Sequence, residues 1–139
     1  MYERIVEASS AIADKYGLRT IDNATAIQKA RELVKSGALG ELKRSVWIVT
    51  NWYRTQAYYD SGSWRATWAG EGGGVLLNQC PHNLDLLQWI CGMPTHVTAQ
   101  IDNWHLKNVI EVEDTASARF ETEGGMPINF YATTGAGAS

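Results

Sequence analysis

The chain has 139 residues, 45% of them hydrophobic and 19% charged, with a formal net charge of −3. That length suits one domain with a real core, and the balance excludes a disordered chain, which needs fewer apolar and more charged residues. The acidic balance and scattered basic residues argue against nucleic-acid binding, and no apolar run approaches the ~20 residues that span a bilayer.

The N-terminus has no signal-peptide pattern. The two cysteines, Cys80 and Cys91, lack CxxC spacing and clustered histidines. No metal site is therefore expected, and a reduced pair in a cytoplasmic protein is the plain reading.

In chain order, residues 2–16 carry Ile5, Ala8, Ser9, Ile12 and Tyr16 at helical spacing, and Gly17 is placed to end that helix. A short extended piece, Leu18 to Ile21, follows. A second helix is predicted from about Ala26 to Lys35, with Thr25 and Gln28 at capping-box spacing and Gly37 as its stop. Residues 42–53 are β-branched and aromatic and predict a strand. From Arg54 to Gly74 there is no clean period, and Trp, Tyr, Gly and Ser abound. So long a connection is often functional. A helical stretch then reaches Cys91, ended by Gly92 and Pro94. Three alternating runs complete the chain, built on Val97, Ala99 and Ile101, then Ala116, Ala118 and Phe120, then Ile128, Phe130 and Ala132. The Glu123-Gly124-Gly125 tip joins the second and third as a hairpin. The order predicts an α+β fold: an open, largely antiparallel sheet with helices packed on one face.

The chemistry concentrates in Gly72 to Gly92. On one continuous helix, Asn78, His82 and Asp85 would share a polar face, while Leu76, Cys80, Leu84, Leu87 and Cys91 would share an apolar one. Histidine titrates near neutral pH, so His82 is a candidate to exchange a proton with a substrate hydroxyl. Asn78 is a candidate to bind the same hydroxyl or fix the imidazole, and Asp85 to orient the ring or contact substrate. An ordinary surface or capping pair is the competing reading. Pro81 leaves two geometries open: a helix that starts near Pro81, with Asn78 in the preceding turn, or a kinked one. Gly72-Gly73-Gly74 matches neither GxGxxG nor a Walker loop, so close backbone approach is preferred over phosphate binding.

Trp64-Arg65, Gly72-Gly73-Gly74-Val75-Leu76-Leu77, His82-Asn83-Leu84-Asp85 and Trp89-Ile90-Cys91-Gly92-Met93-Pro94 resemble, in order and spacing, the second domain of the Gfo/Idh/MocA oxidoreductases. The similarity runs back through Ala30 to Glu41 and forward through Glu113 to Ala118, covering about residues 24–134. The resemblance implies a dinucleotide-binding Rossmann domain followed by an α/β domain with a large open sheet, and a substrate between them, against the nicotinamide of NAD or NADP. It implies that a carboxylate and a histidine four apart meet the substrate hydroxyl. Here the histidine is His82, and the carboxylate position is Asn78, which cannot act as a base. Arg65, beside Trp64, looks like a substrate contact, its planar fork suited to a carboxylate, phosphate or vicinal diol.

No residues here match the cofactor motif or the family's Glu-Lys-Pro tripeptide. Residues 1–23 look like the tail of the preceding domain, and 24–139 like the substrate domain, cut short at its C-terminus. A fragment, inactive alone, of an enzyme acting on a sugar or polyol is the expectation. A non-catalytic module is the alternative, with Trp52, Tyr53, Tyr58, Trp64, Arg65 and Trp68 binding a carbohydrate. Homo-oligomer formation through the sheet face is also expected.

Overall fold

The structure, a computed structural model, describes residues 23–136. The helix expected over 2–16, its stop at Gly17 and the extended piece after it lie outside the described residues. The chain divides into two compact units, Met1–Leu39 and Gly40–Ser139.

In the first unit, helix α1 spans Asn23–Lys35. It begins before Thr25, so Thr25 lies inside the helix and is not its cap. Gln28 Nε2 instead donates forward along the helix to Glu32 Oε1 at 3.3 Å. The C-terminal stop is as the sequence predicts: the Gly37 N–H donates to the Val34 carbonyl, and Gly37 takes a φ of 72° that a side chain disfavours.

The second unit holds a four-stranded sheet in the order β1-β4-β3-β2, with β1 at Ser45–Val49, β2 at Pro94–Asp102, β3 at Thr115–Thr122 and β4 at Pro127–Thr133. β2, β3 and β4 pair antiparallel, whereas β1 pairs parallel to β4. The strand expected over 42–53 is shorter because β4 offers partners only from Ser45↔Ile128 to Val49↔Ala132. At the predicted hairpin tip the Gly125 N–H donates to the Thr122 carbonyl at 2.9 Å.

The three alternating runs fall into rows across the sheet: Val97, Phe120 and Ile128; Ala99, Ala118 and Phe130; Ile101, Ala116 and Ala132. Short helices α3, Val75–Asn78, and α4, Pro81–Cys91, pack on that side. Val75, Cys80 and Leu87 close over Val49, Ala116, Ile128, Phe130 and Ala132 as one core. Burying a side chain such as Phe130 or Leu87 contributes about 1.5–3 kcal/mol. The opposite side of the sheet is open, and Val46, Ile48 and Tyr131 stand exposed on it.

The irregular stretch 54–74 contains one helix the sequence did not reveal, α2 at Gln56–Asp60, capped by Thr55 Oγ1 accepting from the Tyr58 N–H. Its remainder is anchored by a second small core of Ala66, Leu106, Ile110 and Val112, with Tyr59 against it.

Candidate functional site

The glycine run is a docking point for Glu113. A Cβ added at Gly74 would lie 1.8 Å from the Glu113 carbonyl oxygen, so only glycine allows the approach. Glu113 is 7% exposed. Its carboxylate accepts from the N–H of Gly74 at 3.0 Å and of Leu76 at 3.1 Å, and its carbonyl accepts from the Val75 N–H at 2.9 Å. A carboxylate thus occupies the amides that a dinucleotide phosphate would need, so this run does not fit the cofactor.

Helix α3 ends at Asn78, and the chain turns through Gln79 and Cys80 before Pro81 opens α4. Proline is at home there, where its missing N–H leaves no bond unmade. Of the two geometries Pro81 left open, the chain adopts the fresh start. Asn78, His82 and Asp85 therefore do not share the face of one continuous helix. Cys80 is fully buried at the break, and burial together with the Glu113 charge pushes its thiol up to about 11.

Asn78 is held firmly. Its Nδ2 donates to Glu71 Oε1 at 2.6 Å, and its Oδ1 accepts from Gln79 Nε2 at 2.9 Å. The other Glu71 oxygen accepts from the N–H of Ala66 at 2.6 Å, and Ala66 takes a φ of 52°. Asn78, Glu71 and Trp64, with Gly70, Gly73 and Leu77, line a hollow of ≈ 210 Å³. His82 sits exposed in the first turn of α4 and is not among the walls of that hollow. Asp85 accepts from Gln88 Nε2 at 2.9 Å, one turn along α4. Tyr53, exposed, meets His105 edge-on at 5.6 Å.

Arg65 donates from Nη1 to the Tyr58 hydroxyl at 2.9 Å and from Nε to Ser61 Oγ at 3.2 Å. Its guanidinium carbon stands 4.6 Å from the Tyr58 ring centre and 4.5 Å from that of Trp64. Arg54 joins it, 4.4 Å from the same Tyr58 ring and 5.2 Å from Trp52. Each such stacking is worth about 0.5–1 kcal/mol at an exposed site. Arg54 Nε, by contrast, is buried and has no acceptor among the described residues.

The structure thus brings Asn78 and Trp64 to one hollow and places Arg65 on the Trp64 ring, while His82, Asp85 and Tyr53 stand outside its walls. Sequence reasoning missed Glu71, whose partners Ala66 and Asn78 lie five and seven residues away, and Arg54, which stacks on Trp52 and Tyr58. It also missed the framework role of Glu113 and of buried Asp114, which accepts from the N–H groups of Trp104, His105 and Leu106. Among the described residues no group of His, Cys, Asp and Glu side chains could hold a metal ion, and no helix is long and apolar enough to cross a membrane.

Residues 27–139 match the family model described as the GFO/IDH/MocA C-terminal domain. Curated proteins give no match. Among solved structures, the WlbA dehydrogenase of Bordetella pertussis, in complex with NADH and UDP-GlcNAcA, is 32% identical with a TM-score of 0.69, over 77% of this chain and 32% of that one. The WlbA dehydrogenase of Chromobacterium violaceum, with the same ligands, is 29% identical with a TM-score of 0.70, over 96% of this chain and 39% of that one. An inositol dehydrogenase homolog of Azotobacter vinelandii, complexed with NAD+, shares the fold at 20% identity and a TM-score of 0.71, over 82% of this chain and 31% of that one. The chain thus spans between 31% and 39% of the length of these proteins.

Proposed function

Because this chain belongs to the GFO/IDH/MocA oxidoreductase family through its C-terminal domain, we propose that it supplies the substrate side of a nicotinamide-dependent dehydrogenase. The substrate would be a sugar, polyol or related compound oxidised at a secondary hydroxyl. The observation that carries this reading is the hollow walled by Asn78, Glu71 and Trp64, on the segment whose next turn presents His82. A tryptophan ring beside fixed polar groups is suited to a sugar, apolar on its ring faces and polar at its edges.

The roles divide by chemistry. Asn78 has its amide nitrogen committed to Glu71 and one oxygen lone pair to Gln79. The second lone pair remains to accept from a substrate hydroxyl. An amide cannot take the proton, so His82 takes it as general base when the alcohol is oxidised and returns it as general acid when a carbonyl is reduced. NAD or NADP would accept or supply the hydride, held by residues other than those described here. The WlbA dehydrogenases, with their NADH and UDP-GlcNAcA, support the substrate and cofactor class. Both cysteines are free thiols, which fits a cytoplasmic setting.

The test is His82→Asn in the protein together with its nicotinamide-binding part. Turnover should fall about 10²- to 10⁴-fold, the usual contribution of a positioned acid or base, while substrate affinity is retained. Unchanged turnover would leave a carbohydrate-binding module as the better reading.

A second role is favoured by the open sheet face. Val46 and Ile48 are 59% and 67% exposed there, with Tyr131 beside them. Apolar side chains grouped on one flat face suit association with a second copy of the chain.

A further inference from the structure

Strand β2, Pro94–Asp102, is the longer free edge of the sheet. Among the described residues it pairs with β3 alone, while the other edge, β1, has only 5 residues. An edge strand carries a row of main-chain donors and acceptors with no strand to meet them. Pro94 and a shift of register between Pro94 and His96 blunt the start of β2. From His96 to Asp102 the pairing with β3 is regular, and neither proline nor lysine guards the run. Every residue of that run is exposed, Val97 at 61% and Ile101 at 50%. These two apolar side chains carry the core-facing rows out to the edge, beside an apolar hollow of ≈ 350 Å³ walled by Leu84, Leu87, Pro94, Val97 and Phe120. An apolar row that ends in water is unfavourable.

We propose that β2 docks a second copy of this chain edge to edge, the two β2 strands running antiparallel about a twofold axis at Ala99. The run His96 to Asp102 is self-complementary about its centre. In this register His96 faces Asp102 of the second copy, Val97 faces Ile101, Thr98 faces Gln100, and two alanines meet on the axis. His96 Nδ1 lies 3.1 Å from Thr95 Oγ1, which leaves Nε2 to meet the carboxylate. The Asp102 carboxylate forms no ion pair among the described residues and is open to that contact. A slip of one residue would turn the apolar side of one strand to the polar side of the other. Centring the pair on Thr98 would set Asp102 against Pro94, where the strand is irregular. The axis at Ala99 keeps the whole regular run paired. Ile101 of the second copy then continues the row of Val97, Phe120 and Ile128, and Val97 of the second copy continues that of Ile101, Ala116 and Ala132. Each row passes into a second sheet where it would otherwise end in water. The contact runs along the sheet edge and is separate from the open face of Val46, Ile48 and Tyr131. It is also independent of what the hollow at Asn78 binds.

The experiment is equilibrium sedimentation of the full chain at roughly 10–300 µM, the range suited to a small interface. A monomer–dimer equilibrium is expected, and a monomer at every concentration would overturn the proposal. His96→Glu sets two carboxylates opposite each other, and the twofold axis repeats the clash, so dimerisation should weaken about tenfold or more. Adding Asp102→Lys to that variant exchanges the two charges and should restore the dimer. Both positions are exposed, so circular dichroism should report an unchanged fold. No weakening in the first variant, or no recovery in the second, would refute the register. Ala99→Cys gives a second reading, because residues facing each other across an antiparallel pair lie about 4.5–5.5 Å apart between Cα atoms, within reach of a disulfide. Made together with Cys91→Ala, which removes the partly exposed native thiol, it should yield a covalent dimer on oxidation that a reductant dissolves. Absence of that dimer counts against the axis at Ala99. A dimer abolished by Ile48→Lys but untouched by His96→Glu would assign the contact to the open face and overturn the edge. No readout involves turnover or His82, so failure here leaves the substrate-side reading standing.

Discussion

Replacing Glu113 by alanine removes the acceptor of two buried main-chain donors. The carboxylate accepts from the N–H of Gly74 and Leu76, at 3.0 and 3.1 Å, in a residue that is only 7% exposed. Hydrogen bonds to a charged partner contribute about 1.5–3 kcal/mol each. Gly74 is itself buried, so water cannot readily take over both donors. Against this stands the cost of keeping a carboxylate out of water, which the substitution would relieve. Two charge-assisted bonds outweigh that relief, and the expected loss for Glu113→Ala is about 3–5 kcal/mol, out of the 5–15 kcal/mol usual for a domain. Glu113→Gln keeps one acceptor and turns an NH2 group towards the other donor, so about 1.5–3 kcal/mol should be lost. Urea unfolding followed by tryptophan fluorescence measures both, and hydrogen exchange at Gly74 and Leu76 should accelerate most. A loss below about 1 kcal/mol for the alanine variant would refute the argument, since desolvation would then have balanced the bonds.

Gly74→Ala should destabilise by more than about 3 kcal/mol or prevent folding, because its Cβ would meet the Glu113 carbonyl oxygen at 1.8 Å. Gly124→Ala, with open space around the added carbon, should stay within about 0.5 kcal/mol of the parent in the same unfolding assay. The Cys80 thiol is raised from 9.0 to about 11, so the folded state holds its proton more tightly than the unfolded one. Its contribution to stability is therefore complete below about pH 9 and is lost as the pH rises towards 11. Iodoacetamide near neutral pH should alkylate partly exposed Cys91 before buried Cys80, and equal rates would contradict the burial argument. Ile48→Lys on the open sheet face should lower the solution mass of any oligomer formed through that face, as read by sedimentation, with the fold intact by circular dichroism.

The sheet was legible because its signal is local. Alternation along 97–101, 116–120 and 128–132 fixes which residues face the helices, and the observed register aligns those residues in rows. The parallel pairing of β1 with β4 was not legible, because partners such as Trp47 and Phe130 share no sequence pattern. The break between α3 and α4 could be read from Pro81 only as one of two alternatives. It is held by a local bond, the Cys80 N–H donating to the Val75 carbonyl at 3.0 Å, and by a tertiary contact, the enclosure of Cys80 in the core. The glycine run gave the right physical reason without its object, since the residue that approaches, Glu113, lies 39 positions away. The aromatic stretch was legible as unusual. Its pairing of Arg54 with Arg65 across Tyr58 depends on the unforeseen helix α2, which sets the Tyr58 ring between them in sequence.

The amide at position 78 gains a physical reason from Glu71. A carboxylate at 78 would stand where Asn78 Nδ2 now donates to Glu71 Oε1 at 2.6 Å. Two ionised carboxylates at that separation repel strongly, and one would have to take up a proton. Asparagine avoids the conflict by turning a donor to Glu71. Glu71 meanwhile uses its second oxygen to hold Ala66, with a φ of 52°, in the turn that follows Arg65. Asn78 and Glu71 are therefore one device with a shared constraint: an amide at 78 suits a carboxylate at 71, and together they fix one wall of the hollow to the turn that follows the Trp64-Arg65 pair. That arrangement leaves no free base on the wall itself. Under the proposed function the proton is moved by a group outside it, and His82, four residues beyond Asn78 on the exposed first turn of α4, is the side chain proposed for that role.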